Sequence, residues 1–140
     1  MESSKRMNES TVKTAIVASI RASGGYARRI EDRHAVGILD TILVPKGYPV
    51  FFAEVKMIKG LTFHPTDRQY IEMRRINEVG QGVHMFGIII GYKDGVYYFH
   101  EATNHAIVSD CFSVTTSEMD FPRQLIQFYH SRLKNGRLGN

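Results

Sequence analysis

Two apolar segments, Ile38 to Val44 and Val50 to Val55, flank Pro45-Lys46-Gly47-Tyr48-Pro49. The segments are rich in β-branched and aromatic residues, and the five residues between them are turn formers. This pattern predicts a β-hairpin. Both faces of both strands are largely apolar, so water can cover neither. A hairpin of this kind belongs at the centre of a sheet with helices on both sides. That excludes an all-helical fold and an open sheet with one wet face.

The rest of the chain supplies the covering layers. Val12, Ile16 and Ile20 recur at helical spacing, which predicts a helix from Asn8 to about Ser23, stopped by Gly24-Gly25. A short strand is read from Tyr26 to Glu31. Thr66 and Gln69 form the pattern of a capping box after His64-Pro65, so a second helix is expected from Asp67 to Val79, ended by Gly80 and Gly82. Met85 to Tyr92 is a continuous apolar run, a buried strand. Lys93-Asp94-Gly95 turns it into a strand from Val96 to His100. Ala106 to Val108 suggests a short edge strand. Pro122 opens a last helix to about Leu133, with Leu125, Ile126 and Tyr129 on one face. This order predicts an α/β fold, a mixed central β-sheet flanked by α-helices. With 140 residues, the chain is expected to be a single domain.

Several function classes drop out early. No run of about 18 apolar residues exists, so no membrane-spanning helix is expected. Met1 to Lys13 contains no apolar signal core, so the expected location is cytoplasmic. In that setting the glycosylation pattern Asn8-Glu9-Ser10 has no use. The only cysteine, Cys111, allows neither an intramolecular disulfide nor a cysteine-based zinc site. His100 and His105 are five residues apart, about 140° round a helix, so they do not form a zinc-protease pair.

Charge points to a polyanionic partner. The 18 basic and 14 acidic residues give a net charge of +4. The whole excess lies in residues 1–80, with 13 basic against 9 acidic side chains. Nucleic acid is the simplest partner for a basic half.

The central hairpin carries the chemistry. Paired positions in an antiparallel hairpin share a midpoint, and the midpoint of Asp40 and Glu54 is Gly47, the apex of the turn. A regular hairpin therefore opposes Asp40 and Glu54 on one face, with Cβ atoms roughly 4.5–5.5 Å apart. Lys56 shares that face about 7 Å further along the strand. Two carboxylates facing each other in apolar surroundings repel unless a positive charge lies between them. Lys56 supplies one such charge. A divalent cation such as Mg²⁺ or Mn²⁺ would supply more, with the Val55 carbonyl as a further oxygen ligand. The same three side chains also read as a buried ion-pair cluster with no metal.

Gly37-Ile-Leu-Asp40, Glu54-Val-Lys56 and Gln69 together resemble the PD-(D/E)XK nuclease superfamily. Within it, the VRR-NUC group of phage and repair nucleases and the archaeal-type Holliday junction resolvases are most similar. Members begin with a helix bearing a Glu, a Gly-Gly at its end and a basic strand, and Glu9, Gly24-Gly25 and Arg28-Arg29 fill those places. The resemblance spans about residues 8 to 90, and the nuclease core is expected at about 8–100. The last fifty residues match no part of the pattern, and 101–140 read as an extension. Leu39 stands where the family usually has Pro.

The resemblance implies a restriction-endonuclease-like core and a Mg²⁺- or Mn²⁺-dependent endodeoxyribonuclease. It makes Asp40 and Glu54 metal ligands, Lys56 the catalytic lysine, Gln69 a supporting polar residue, and Glu9 a carboxylate bound to metal directly or through water. Glu9 precedes Val12 and Ile16 by three and seven residues, which puts it on their face. An acid there is also favoured by the helix dipole alone, and Gln69 is also explained by its capping box. A small domain of this family suggests a homodimer cutting branched DNA, with the Val96–Phe99 hairpin as a dimer face. A nickase of duplex or single strands, or a DNA-binding module without catalysis, are the alternatives. Arg28, Arg29, Lys59 and Arg68 flank the site and are candidates for phosphate contacts.

Overall fold

The computed structural model describes residues 8–30, 39–63, 65–100, 106–107, 112–115 and 120–134. Glu31, Gly37, Ile38, His64, Val108 and Cys111, with residues 101–105 and 135–140, lie outside them. Chain order is α1 (Glu9–Ala22), β1 (Tyr26–Arg29), β2 (Thr41–Val44), β3 (Val50–Met57), β4 (Thr62–Phe63), α2 (Asp67–Gly80), β5 (Met85–Lys93), β6 (Val96–His100), β7 (Ala106–Ile107), β8 (Phe112–Thr115) and α3 (Phe121–Lys134).

Six strands form a mixed sheet in the order β1-β2-β3-β5-β6-β8. The apolar hairpin β2–β3 is internal to this sheet, as its pattern requires. β3 runs parallel to β5, and α2 makes the crossover between them. All other pairings within the sheet are antiparallel. The fold is thus a mixed β-sheet flanked by helices, consistent with a restriction-endonuclease-like core.

The register of β2 on β3 follows from the turn. Tyr48 N–H donates to the Pro45 carbonyl at 3.0 Å, and Gly47 has φ of 84°. Positive φ at the third position of such a turn is the type II geometry, which favours glycine. Thr41 then pairs with Ala53, Ile42 with Phe52 and Leu43 with Phe51.

Alternation along the strands divides the core in two. Phe51, Ala53 and Val55 of β3 join Phe86, Ile88 and Ile90 of β5 beneath α1 and α3. On the other face, Ile89 packs with Leu39, Phe63 and Met73 and Ile76 of α2, and Phe52 lies against them. Gly87 allows α2 to approach closely: a Cβ there would lie 2.9 Å from Met73 Cγ. Asn77 of α2 accepts from Gly87 N–H at 2.8 Å and donates to its carbonyl at 3.1 Å. β6 reaches only as far as Ile89, so these two backbone groups find their partner in a side chain.

The structure alters or adds to the expectations at four places. Ala106–Ile107 does not edge the main sheet but pairs with Thr62–Phe63 in a separate two-stranded sheet. The outer strand is β8, which the sequence pattern does not announce and which forms through pairing with β6. Tyr97 and Phe99, in the hairpin read as a dimer face, are buried against Phe121 of α3. Their apolar character serves the protein's own core. At the end of α2 the left-handed position is held by Gln81 (φ 53°), between the two glycines expected to stop the helix.

Candidate active site

Asp40 sits immediately before β2, and two neighbours hold its backbone in line. Ile30 N–H donates to the Asp40 carbonyl at 2.7 Å, extending the β1–β2 ladder by one residue. On the other side, the register Thr41–Ala53 carried one residue further sets Asp40 against Glu54 of β3. Thr41 Oγ1 donates to Asp40 Oδ1 at 3.1 Å. The three pairs of β2 on β3 share the midpoint at Gly47, and Asp40 lies one residue beyond the last of them.

Glu54 is 2% exposed. Its Oε2 lies 3.7 Å from Lys56 Nζ, and its buried Oε1 has no hydrogen-bond partner among the described residues. Burial and, next, the Asp40 carboxylate push the Glu54 carboxyl up to about 7, against the pull of Lys56 and Lys13. A carboxyl poised near neutrality in a charged cluster is a physical sign of a functional site.

The residue that the sequence reading missed is Lys13. It lies on the buried side of α1 between Val12 and Ile16, both fully buried, and is itself 5% exposed. Its Nζ is 3.1 Å from Glu9 Oε2, and it is hydrogen-bonded and ion-paired to Asp40 Oδ2. Burial opposes its charge, but the bonds to Asp40 and Glu9 outweigh that and hold its ammonium above the ordinary lysine value. The signal was present in the chain: a lysine within an apolar helical stripe needs a carboxylate to meet.

Glu9 opens α1, half-exposed, after the cap in which Asn8 accepts from Thr11 N–H at 2.8 Å. It acts on Glu54 through space, as do Asp40, Lys13 and Lys56. The fold thus brings Glu9, Asp40, Glu54 and Lys56 into one electrostatic cluster, with Lys13 among them. Val55 buries its side chain in the core beneath α1, so only its backbone carbonyl is left for a site. Gln69 spends its side-chain oxygen on the start of α2. Its side-chain oxygen accepts from Thr66 N–H at 2.9 Å while Thr66 Oγ1 accepts from Gln69 N–H at 3.2 Å, the capping box its sequence predicts.

The basic candidates lie at the surface. Arg28, Lys59 and Arg68 are exposed. Arg29 reaches back to α1, 3.1 Å from Ser10 Oγ and 3.4 Å from Thr14 Oγ1. Arg28 and Arg29, with Arg21 and Tyr26, line a groove of about 460 Å³ between α1 and β1.

Hard carboxylate oxygens suit a divalent cation, and Glu54 Oε1 has no hydrogen-bond partner among the described residues. The residues present fit such an ion chemically. Among the described residues, however, no group of three or more His, Cys, Asp or Glu side chains is arranged to hold one. Glu9 and Asp40 converge on Lys13 instead.

A mixed sheet with an acid–lysine cluster at its central hairpin defines the class: an α/β domain consistent with the restriction-endonuclease-like core. No family model and no curated protein matches the sequence. In structure the chain is distantly similar to a VRR_NUC domain, at 24% identity and a TM-score of 0.44, over 58% of this chain and 82% of that one. It is also distantly similar to Hjc of Archaeoglobus fulgidus, a Holliday junction resolvase, at 13% identity and a TM-score of 0.48, over 81% of this chain and 88% of that one. No helix among the described residues is long and apolar enough to cross a membrane.

Proposed function

We propose that this protein is a metal-dependent DNA endonuclease that hydrolyses phosphodiester bonds in branched DNA, acting as a homodimer on four-way junctions. The observation that carries the reading is a buried Glu54 whose Oε1 has no hydrogen-bond partner among the described residues, with Lys56 beside it and the Asp40 carboxylate acting on it. Burying a carboxylate without hydrogen bonds is costly, and a function at that position accounts for the cost.

Asp40, Glu54 and Glu9 would hold Mg²⁺ or Mn²⁺, with the Val55 carbonyl as a further ligand. Such an ion, when bound, acidifies water and stabilises the charge on a pentacovalent phosphate. Lys56 orients the attacking water or neutralises the scissile phosphate from its place beside Glu54. The Ile30 N–H bond to the Asp40 carbonyl fixes the backbone that carries this carboxylate. Gln69 takes part only through its amide nitrogen, since its oxygen serves the helix cap. Arg28, Arg29, Lys59 and Arg68 bind the phosphate backbone, and a dimer presents two sites for symmetric cuts.

One observation favours a second reading, a DNA-binding module without catalysis: Lys13 pairs with two of the proposed ligands. Cleavage of a labelled four-way junction beside a matched linear duplex separates the readings. Each is run with Mg²⁺, with Mn²⁺ and with chelator, using wild type and Glu54→Ala. Symmetric metal-dependent junction cuts that Glu54→Ala loses support the resolvase. Equal cutting of both substrates leaves a duplex or single-strand nickase. Tight binding without cleavage under either metal leaves the binding module.

A further inference from the structure

We propose that Lys13 is a tethered cation that competes with a divalent metal for Glu9 and Asp40, and so sets how tightly the site takes metal. The inference rests on the metal-site reading above and adds a positioning residue to it. Three carboxylates from separate elements act on one another through space: Glu9 at the start of α1, Asp40 on the approach to β2, and Glu54 on β3. Without a counter-charge they would repel one another. Lys13 answers two of the three directly, and Lys56 answers the third at 3.7 Å.

The two lysines are not equivalent. Lys56 is half-buried, on a strand, and loosely paired with one carboxylate oxygen. Lys13 is buried, with its stem fixed on α1 between Val12 and Ile16, which have no exposure at all. Its packed stem keeps the ammonium beside the two carboxylates. A cation arriving at the Glu9 and Asp40 oxygens must therefore take them from an ammonium that stays close by, and the two charges repel. The same contact that holds the carboxylates together before metal arrives lowers their affinity for it.

The test is titration calorimetry of Mn²⁺ into the whole chain, without DNA, for wild type, Lys13→Met, Lys13→Gln and Lys13→Arg. Removing the charge in Lys13→Met or Lys13→Gln should tighten Mn²⁺ binding by about tenfold or more. Lys13→Arg keeps the charge and should keep the weak binding of wild type. A role confined to stability would not separate the charged variant from the uncharged ones in this way. Thermal melts give the second readout. In chelator the uncharged variants should melt below wild type, and saturating Mn²⁺ should raise their Tm by more than it raises that of wild type. Unchanged or weaker Mn²⁺ binding in the folded uncharged variants, with binding by wild type intact, overturns the role of Lys13 and leaves the metal site standing. Absence of Mn²⁺ binding in wild type and in every variant overturns both.

Discussion

Lys56 Nζ stands 3.7 Å from Oε2 of Glu54, while the other carboxylate oxygen of Glu54 is buried with no hydrogen-bond partner among the described residues. The pair is too long for a direct hydrogen bond. Lys56 therefore offsets the charge of Glu54 through space rather than through a hydrogen bond. Lys56→Gln should leave the fold intact and lower cleavage by about 10²-fold or more, the usual size of losing one charge-stabilising group. Single-turnover rates on a four-way junction, beside a circular-dichroism melt, measure both effects. A variant that cuts at the wild-type rate would remove Lys56 from the chemistry.

Glu54 makes stability depend on pH in an unusual direction. Its folded value of about 7 lies above its ordinary 4.5, so the folded state holds this proton where the unfolded chain has lost it. The stabilisation is complete below pH 4.5 and is lost as pH rises through about 7. Glu54→Gln removes the dependence. Its stability relative to wild type should therefore increase between those limits by on the order of 2 kcal/mol. Urea melts of both proteins in chelator, at the two ends of the window, measure the change. A difference that stays constant with pH would rule out the raised carboxyl.

Gly87 faces α2 with no room for a methyl group. An added Cβ would sit 2.9 Å from Met73 Cγ and 3.2 Å from its carbonyl oxygen. The side chain has some freedom to move, but the backbone has little. Gly87→Ala should destabilise the protein by about 1–3 kcal/mol, read as a lower urea midpoint with an unchanged slope.

Asn77 is the partner of both backbone groups of that same glycine. Asn77→Ala should cost about 1–3 kcal/mol, because it leaves a strand N–H and C=O unpaired. The same urea melts report it. In the double variant with Gly87→Ala the two losses should fall short of adding, since both loosen one helix–strand contact.

Arg28 is exposed on β1, and no side-chain partner holds it among the described residues. If it contacts a phosphate, Arg28→Ala should weaken DNA binding and reduce the slope of log affinity against log salt by about 0.9. Fluorescence anisotropy over a salt series measures the slope. An unchanged slope would assign Arg28 to solvated surface.

Much of this was legible in the chain because the forces involved act over short distances. A turn of Pro45 to Pro49 around a glycine sets which residues of two strands oppose, so Asp40 and Glu54 could be paired by their midpoint. Thr66 and Gln69 satisfy each other's backbone within one helical turn, so the start of α2 was readable as well. The sheet edge beyond β6 was not. β8 has four residues and forms against β6, and β7 chose Thr62–Phe63 over the main sheet. Segments that short carry too little pattern to name a partner.

The division is sharpest at the site. By itself, the sequence determined the apolar hairpin, its register and hence the acid pair with its lysine, because local backbone geometry and a period of two suffice for that. Only the tertiary structure decided that α1 packs on the sheet with Lys13 over Asp40, 27 residues away in the chain. That contact depends on helix placement across the core, where apolar burial chooses the arrangement and the charges must accommodate it. What lies between the carboxylates, a tethered ammonium, is therefore a property of the packed molecule and of no single segment.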